Sequence, residues 1–509
     1  MVPPGVKGAG PFETWDARRR MHRPRVAARP NRAPPRAPPC PPKFCVLCCV
    51  GERPWLPRGM WRPTSREVSV TTRTPTDATR LPDRRRFLKR AAAGAALAAT
   101  PAWTRAPSRP GLSLEELSAR RDFMGTEDES FWEMVKSQFP LRPGLILVNA
   151  ANLCPSPYPV QEAVFGYTRD IDQDASFHNR AKFNALAAES VEALARLLGA
   201  SPDEIVVTRN TSESNNTVIN GLTLGAGDEV VLWDQNHPTN NVAWDVRADR
   251  WGYKVIRVAT PPVPETEDEL IDAFVSAFTD RTRVLAVTQI SNISGVELPA
   301  QRLCSIARDR GIYVHMDGAQ SFGAVEVDLH AMGCDSYTGS AHKWFCGPKE
   351  AGVLYVRAER VAELWPSDVG VGWEGAIAGG GADKFGTYGQ RDDAAVAGVG
   401  TTVEFHEAIG AAAIEERMRA LAAGLKAAIR DRIPGVKFHT SDVPGLGGGV
   451  VIAELGVDDH TEIYNRIYEE HGVAGALRRG VFPGIRLCPH MYNTMAEMEQ
   501  VADALAASA

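Results

Sequence analysis

Net charge and cysteine are both scarce in this 509-residue chain. Its 57 Lys and Arg stand against 62 Asp and Glu, leaving a formal charge of −5 and no electrostatic case for a nucleic-acid partner. Of nine cysteines, four (Cys40, Cys45, Cys48 and Cys49) crowd the first fifty residues. They have no histidine or folded context beside them, so no metal site is expected there. The other five, Cys154, Cys304, Cys334, Cys346 and Cys488, are spread too widely for a disulfide framework and read as buried small apolar residues. A long membrane-spanning run is also missing near the start. The weakly apolar stretch Ala91–Thr100 falls well short of the ~20 residues that cross a bilayer, so no stable membrane insertion is expected.

Residues 1–80 are crowded with Arg and Pro and show no apolar periodicity, the pattern of a disordered extension. Residues 81–105 differ. RRRFLK (Arg84–Lys89) precedes the Ala-rich run and resembles a twin-arginine export signal, with Arg84 and Arg85 as the pair. Asp83 stands where Ser or Thr is usual, and a basic patch beside a chance alanine run would look similar. The resemblance implies a cleaved signal, the twin-arginine translocase as an export partner, and a periplasmic or secreted protein. Such signals lie near an N-terminus, so translation is expected to begin after Met1, with Met60 a candidate and residues 1–59 without function. That route carries folded proteins, which suits an enzyme loaded with its cofactor beforehand.

From about residue 145 strands and helices alternate. Leu145–Asn149, Glu204–Asn210, Glu229–Asp234, Lys254–Ala259, Arg283–Ile290, Ile312–Asp317 and Gly352–Arg357 read as strands, most of them nearly continuous in apolar residues. Glu189–Gly199 reads as an amphipathic helix with a glycine stop. This spacing predicts an α/β fold with a mostly parallel sheet covered on both faces. The expected division is an N-terminal segment over 106–165, a large domain over 166–400 and a smaller α+β domain over 401–509. The small domain is read as opening with a helical stretch (Val403–Leu425) and closing with a helix (Ala496–Ala507). The glycine- and aromatic-rich segment Val371–Tyr388 reads as a loop over the site.

Two segments carry the chemistry. IYVHMDGAQ (Ile312–Gln320) is an apolar strand ending in an acid, and GSAHKW (Gly339–Trp344) sets Lys343 in a loop of small residues. A lysine that bonds covalently to an aldehyde cofactor, with a carboxylate that keeps a pyridine nitrogen protonated, is the pair that pyridoxal 5'-phosphate requires. Such a lysine must be desolvated or set beside cations to act as a neutral amine. TRNTSESNN (Thr208–Asn216) leads from a strand into a helix start, where free N–H groups and the Thr211 and Ser212 hydroxyls suit a phosphate. Ser and Thr are also ordinary helix caps. Ser340 and His342 are placed to reach the same phosphate, His237 follows a strand and is positioned to stack on a ring, and Asn292 ends another strand. Arg486 is a fork suited to a substrate carboxylate, although an arginine on a surface strand reads the same way.

DGAQ (Asp317–Gln320), SAHKW (Ser340–Trp344), SNISG (Ser291–Gly295) and the ending RLCPHMYNT (Arg486–Thr494) together resemble the class V aminotransferase family. The resemblance spans roughly residues 140–509 and implies the fold type I architecture of pyridoxal-phosphate enzymes. It implies Lys343 as the cofactor-linking lysine, Asp317 as partner of the pyridine nitrogen and Gln320 as donor to the ring oxygen. Thr211, Ser212, Ser340 and His342 would hold phosphate, His237 would stack on the ring, Asn292 would bond cofactor or substrate, and Arg486 with Asn149 would hold the substrate. A homodimer with sites at its interface is implied as well. Two departures matter. The segment His471–Arg486 lacks the reactive cysteine of cysteine desulfurases, and Gln390 stands where relatives carry a threonine that reaches the partner's phosphate. The implied activity is isopenicillin N epimerase-like, at the α-carbon of an amino acid or peptide residue. A transaminase or lyase that tailors an exported peptide such as a siderophore is the alternative, and a non-catalytic binding protein of the same fold a third.

Overall fold

The computed structural model describes residues 111–371 and 373–509. The Arg- and Pro-rich extension, its four cysteines and the segment expected as a twin-arginine signal lie outside the described residues. The strands, in chain order, are β1 (Ile146–Leu147), β2 (Ile205–Thr208), β3 (Glu229–Trp233), β4 (Lys254–Val258), β5 (Thr282–Thr288), β6 (Tyr313–Asp317), β7 (Ser336–Ser340), β8 (Gly352–Val356), β9 (Lys437–Phe438), β10 (Val451–Glu454), β11 (Val473–Ala474), β12 (Ala476–Arg478) and β13 (Gly484–Leu487).

Seven of these form one sheet in the order β2-β8-β7-β6-β5-β3-β4. Neighbours from β7 to β4 are parallel, whereas β8 pairs antiparallel with both β7 and β2. Only β8 therefore runs against the other six. The apolar strands look continuous because alternate residues enter different cores. Val231, Trp233, Leu285, Val287, Val314 and Met316 join one buried cluster. Val230, Leu232, Val284, Ala286 and Tyr313 join another on the opposite face, beneath Trp244 of the helix Pro238–Trp251.

Strand β7 escaped the sequence reading because SYTGS carries no apolar pattern. All five of its residues are buried, and its polar groups are answered inside the protein. Ser336 Oγ lies 2.8 Å from His315 Nδ1, and Thr338 Oγ1 donates to Asn215 Oδ1 at 2.8 Å. A polar strand survives in mid-sheet when its hydroxyls have partners.

A smaller antiparallel sheet has the order β12-β13-β10-β9. Strand β1 pairs in parallel with β11, and a bridge sets Asn149 beside Cys488, so the segment before the large sheet is tied to the C-terminal one. The expected boundary at 400/401 falls inside the helix Asp393–Ile409, which packs against Lys182–Leu197 and Tyr158–Gln173. The stretch expected as one helix over Val403–Leu425 breaks at Gly410, whose φ of 99° lies in the region that favours glycine; a second helix, Ala411–Arg432, begins there. Part of the expected loop at 371–388 is a short helix, Trp373–Gly379, and Phe385 beyond it is buried with Val206 of β2. Among the described residues, no helix is long and apolar enough to cross a membrane.

Gly318, directly after β6, passes so close to the Tyr337 ring that a Cβ there would overlap it. Gly318→Ala is therefore expected to lower the unfolding free energy by about 1–3 kcal/mol, read by urea denaturation of the purified protein.

Candidate active site

Because β2, β3, β5, β6 and β7 point the same way, their carboxyl ends open on one edge of the sheet, where ligands of such sheets bind. A cavity of about 370 Å³ lies there. Asn210 and Thr211 follow β2, His237 follows β3, Asn292 follows β5, Asp317 ends β6, and Ser340 and Lys343 follow from β7; all line it. Ser212, His342 and Arg486 complete the expected residues on its wall. Two expected residues stand behind that wall. The Gln320 amide donates to the Ala151 carbonyl (3.2 Å) while its Oε1 accepts from the Trp344 indole (2.8 Å). Asn149 Oδ1 accepts from Arg486 Nη2 at 3.0 Å, so it orients the arginine. Gln390 lies elsewhere, in a depression with Arg180 and Asp393.

Asp317 is 1% exposed and is held by neutral donors. Its Oδ2 accepts from Asn215 Nδ2 (2.8 Å) and Asn240 Nδ2 (3.2 Å), and its Oδ1 from the Ala319 N–H (2.9 Å). The network continues outward. Asn215 Oδ1 accepts from Thr338 Oγ1 and, at 3.1 Å, from His315 Nε2, so that ring carries its proton on Nε2 and Nδ1 accepts from Ser336. Burial pushes the His315 pKa down to about 4, which keeps the ring neutral. Sequence reasoning missed Asn215, Asn240 and His315. One signal was there: Asn215 lies four residues after Thr211, one turn along the same helix face.

Lys343 is half-buried on the cavity wall. Desolvation lowers its pKa, with Asp317 opposing and Arg486 reinforcing the shift, which favours the neutral amine that nucleophilic chemistry needs. Its loop is pinned where the Cys154 N–H donates to the His342 carbonyl at 2.8 Å. At the helix start, Ser340 Oγ accepts from the Thr211 N–H (2.9 Å) and lies 2.8 Å from Thr211 Oγ1. Gly352 permits this approach, because a Cβ there would strike the Asn210 backbone. Asn210 caps the helix, its Oδ1 accepting from the Glu213 N–H. His237 caps the next helix in the same way, with Nδ1 accepting from the Thr239 N–H at 3.2 Å. His237 is exposed, yet desolvation against the surrounding wall, then Lys343, lowers its pKa.

Arg486 is 6% exposed and donates from Nη1 to the Asn292 carbonyl at 3.2 Å. Arg478, which the sequence reading passed over, also lines the cavity. Pyridoxal phosphate fits these residues on a direct observation: Asp317 is a buried carboxylate with only neutral donors around it, suited to a pyridinium N–H. Thr211, Ser212, Ser340 and His342 would hold the phosphate, and Lys343 the aldehyde carbon.

Comparisons with known proteins give the family and the fold. A model of the aminotransferase class-V family matches residues 155–463. Isopenicillin N epimerase of Streptomyces clavuligerus is 30% identical over 388 residues, 74% of this chain and 97% of that protein. A cysteine desulfurase of Klebsiella pneumoniae is 36% identical over 182 residues, 35% of this chain and 42% of that one. Among solved structures, a mutant of C-DES with glycine covalently linked to its PLP cofactor superposes with a TM-score of 0.66 at 21% identity, covering 74% of this chain and 99% of that one, which shows the shared fold.

The buried neutral histidines have a measurable consequence. His315 and His406 are pushed down to about 4 and His490 to about 3, all by burial. Between about pH 6.5 and 4 the unfolded chain binds protons that these folded rings do not, so stability falls as pH falls through that window. Each ring contributes a slope of up to about 1.4 kcal/mol per pH unit. Urea midpoints at pH 7, 6 and 5 should decline in step, and His315→Gln should shallow the slope.

Proposed function

This chain belongs to the class V aminotransferase family and is a pyridoxal-phosphate-dependent enzyme, and from that premise we propose that it acts at the α-carbon of an amino acid, free or as a residue of a peptide, in the manner of isopenicillin N epimerase. The observation that carries this reading is the meeting of three groups in one cavity: desolvated Lys343, buried Asp317 and Arg486. When bound, pyridoxal phosphate supplies an electron sink that stabilises negative charge at the substrate's α-carbon.

Each residue then has a definite task. Asp317, fixed by Asn215 and Asn240, would hold a proton on the pyridine nitrogen. Arg486, oriented by Asn149 and the Asn292 carbonyl, grips the substrate carboxylate with its fork. Lys343, as a neutral amine beside the cavity, would take the proton from the α-carbon. Return of a proton to the opposite face inverts the centre, and transamination and elimination are the competing outcomes of the same first step. A desulfurase role has less support. Cys488 is fully buried with its pKa pushed up by that burial, and Cys154 is likewise buried. The enzyme is proposed to work as a homodimer.

Purified protein lacking the signal should show visible cofactor absorbance, and Lys343→Ala should lose it together with at least about 10²-fold in turnover. Asp317→Asn should retain cofactor yet lose activity. Chiral analysis of the product separates inversion from transamination and elimination. No visible absorbance after loading with pyridoxal phosphate would sink the reading.

Export through the twin-arginine translocase is part of the same proposal, resting on Arg84 and Arg85 ahead of the Ala-rich run. Replacing both with Lys should leave the protein in the cytoplasmic fraction, whereas the unaltered chain should appear outside the inner membrane. Equal distribution of the two would reject it.

A further inference from the structure

Two guanidiniums face the cavity, and the α-carbon reading uses one of them. Arg486 on β13 lies opposite Ala476, and Arg478 on β12 lies opposite Gly484. Residues 476 and 478 share a face of their strand, so Arg478 and Arg486 are diagonal neighbours, roughly 7–8 Å apart at the backbone. Both line the cavity, and in both the Nε is buried without a hydrogen-bond partner. Arg486 has the Asn292 carbonyl and the Asn149 amide for its outer nitrogens. Among the described residues no carboxylate lies at ion-pair distance from Arg478, and its strongest charged neighbour is Arg486 itself. Two like charges on one half-buried wall are unfavourable unless anions answer both.

The charges around the cavity leave one cation without an assigned anion. Besides the neutral-leaning Lys343, its lining carries two guanidiniums, Arg478 and Arg486, against Asp317 as the one lining carboxylate. Asp317 is matched to the pyridine nitrogen. The hydroxyls and helix start after β2 and β7 answer the phosphate, and Arg486 answers the substrate's α-carboxylate. Arg478, reaching in from the small sheet, is left over. A hydroxyl or amide would satisfy its hydrogen bonds but not its charge.

We infer that Arg478 is a specificity-determining residue that binds a second carboxylate, carried on the side chain of a dicarboxylic amino acid acted on at its α-carbon. The inference rests on the proposed function and adds the substrate class. The spacing of the two arginines suits carboxylates separated by a short aliphatic chain.

The test uses the full enzyme loaded with pyridoxal phosphate, with D- and L-glutamate as probes and D- and L-glutamine as neutral matches of the same length. Calorimetry gives the affinities, and the visible absorbance of each protein reports cofactor loading and its response to the amino acid. A charge-assisted hydrogen bond predicts that wild type prefers glutamate by about tenfold or more. Arg478→Gln should bring that ratio close to one with the cofactor still loaded, and Arg478→Lys should retain part of it. Because the readout is a ratio within each protein, a general loss of folding does not imitate the result. Equal affinities in wild type, or a ratio unchanged in Arg478→Gln, would overturn the inference while the absorbance response leaves the α-carbon reading standing. Loaded enzyme whose absorbance and heat respond to none of the four amino acids would overturn both.

Discussion

A carboxylate buried at the end of a central strand, with only neutral donors around it, is the constraint on which the rest of this site depends. Asp317 would be expensive to keep ionised at 1% exposure without its three hydrogen bonds. Those bonds in turn demand that Asn215 present its amide nitrogen to the acid. Asn215 is held that way because Thr338 and neutral His315 occupy its oxygen. The polar character of β7 is thus a requirement of the site, and the strand's weak apolar signal is its consequence. Burial keeps His315 neutral while its Nε2–H donates to the Asn215 oxygen, so burial of the ring and orientation of the acid belong to one arrangement.

Topology supplies the remaining geometry. Six strands of the large sheet run one way, and five of them deliver a polar residue to the same edge. The antiparallel β8 is the exception, and it begins at that edge with Gly352, the residue whose missing side chain lets the helix start approach Ser340. The small sheet closes the opposite side and brings its arginines to the cavity. Its strand β13 reaches Asn149 through the bridge to Cys488, so a residue from before the large sheet orients a guanidinium from near the end of the chain. The two guanidiniums and the Asp317–Lys343 pair therefore come from separate sheets.

The acid and the lysine were legible from sequence because their chemistry is rare in such settings: an acid ending an apolar strand, and a lysine in a loop of small residues. The strands were legible from their near-continuous apolar runs, and the phosphate-side hydroxyls from the strand-to-helix junction after β2. Asn240 was not, and for Asn215 the only trace was its place one turn after Thr211 on the same helix face, which does not say what its amide will face. Gln320 and Asn149 were identified as site residues, yet both stand one layer back, because Trp344 and Arg486 take up their oxygens.

The order of residues thus determined which groups are available: a lysine in a loop of small residues, an acid ending an apolar strand, and a set of hydroxyls at a helix start. Local periodicity settled where most strands lie and that the sheet would be largely parallel. Only the tertiary structure decided which polar groups surround Asp317, that Gly410 ends one helix and starts another, and that Arg478 shares a wall with Arg486. Those outcomes depend on residues far apart in sequence coming within hydrogen-bond or charge range, and pairing across such distances leaves no periodic trace along the chain.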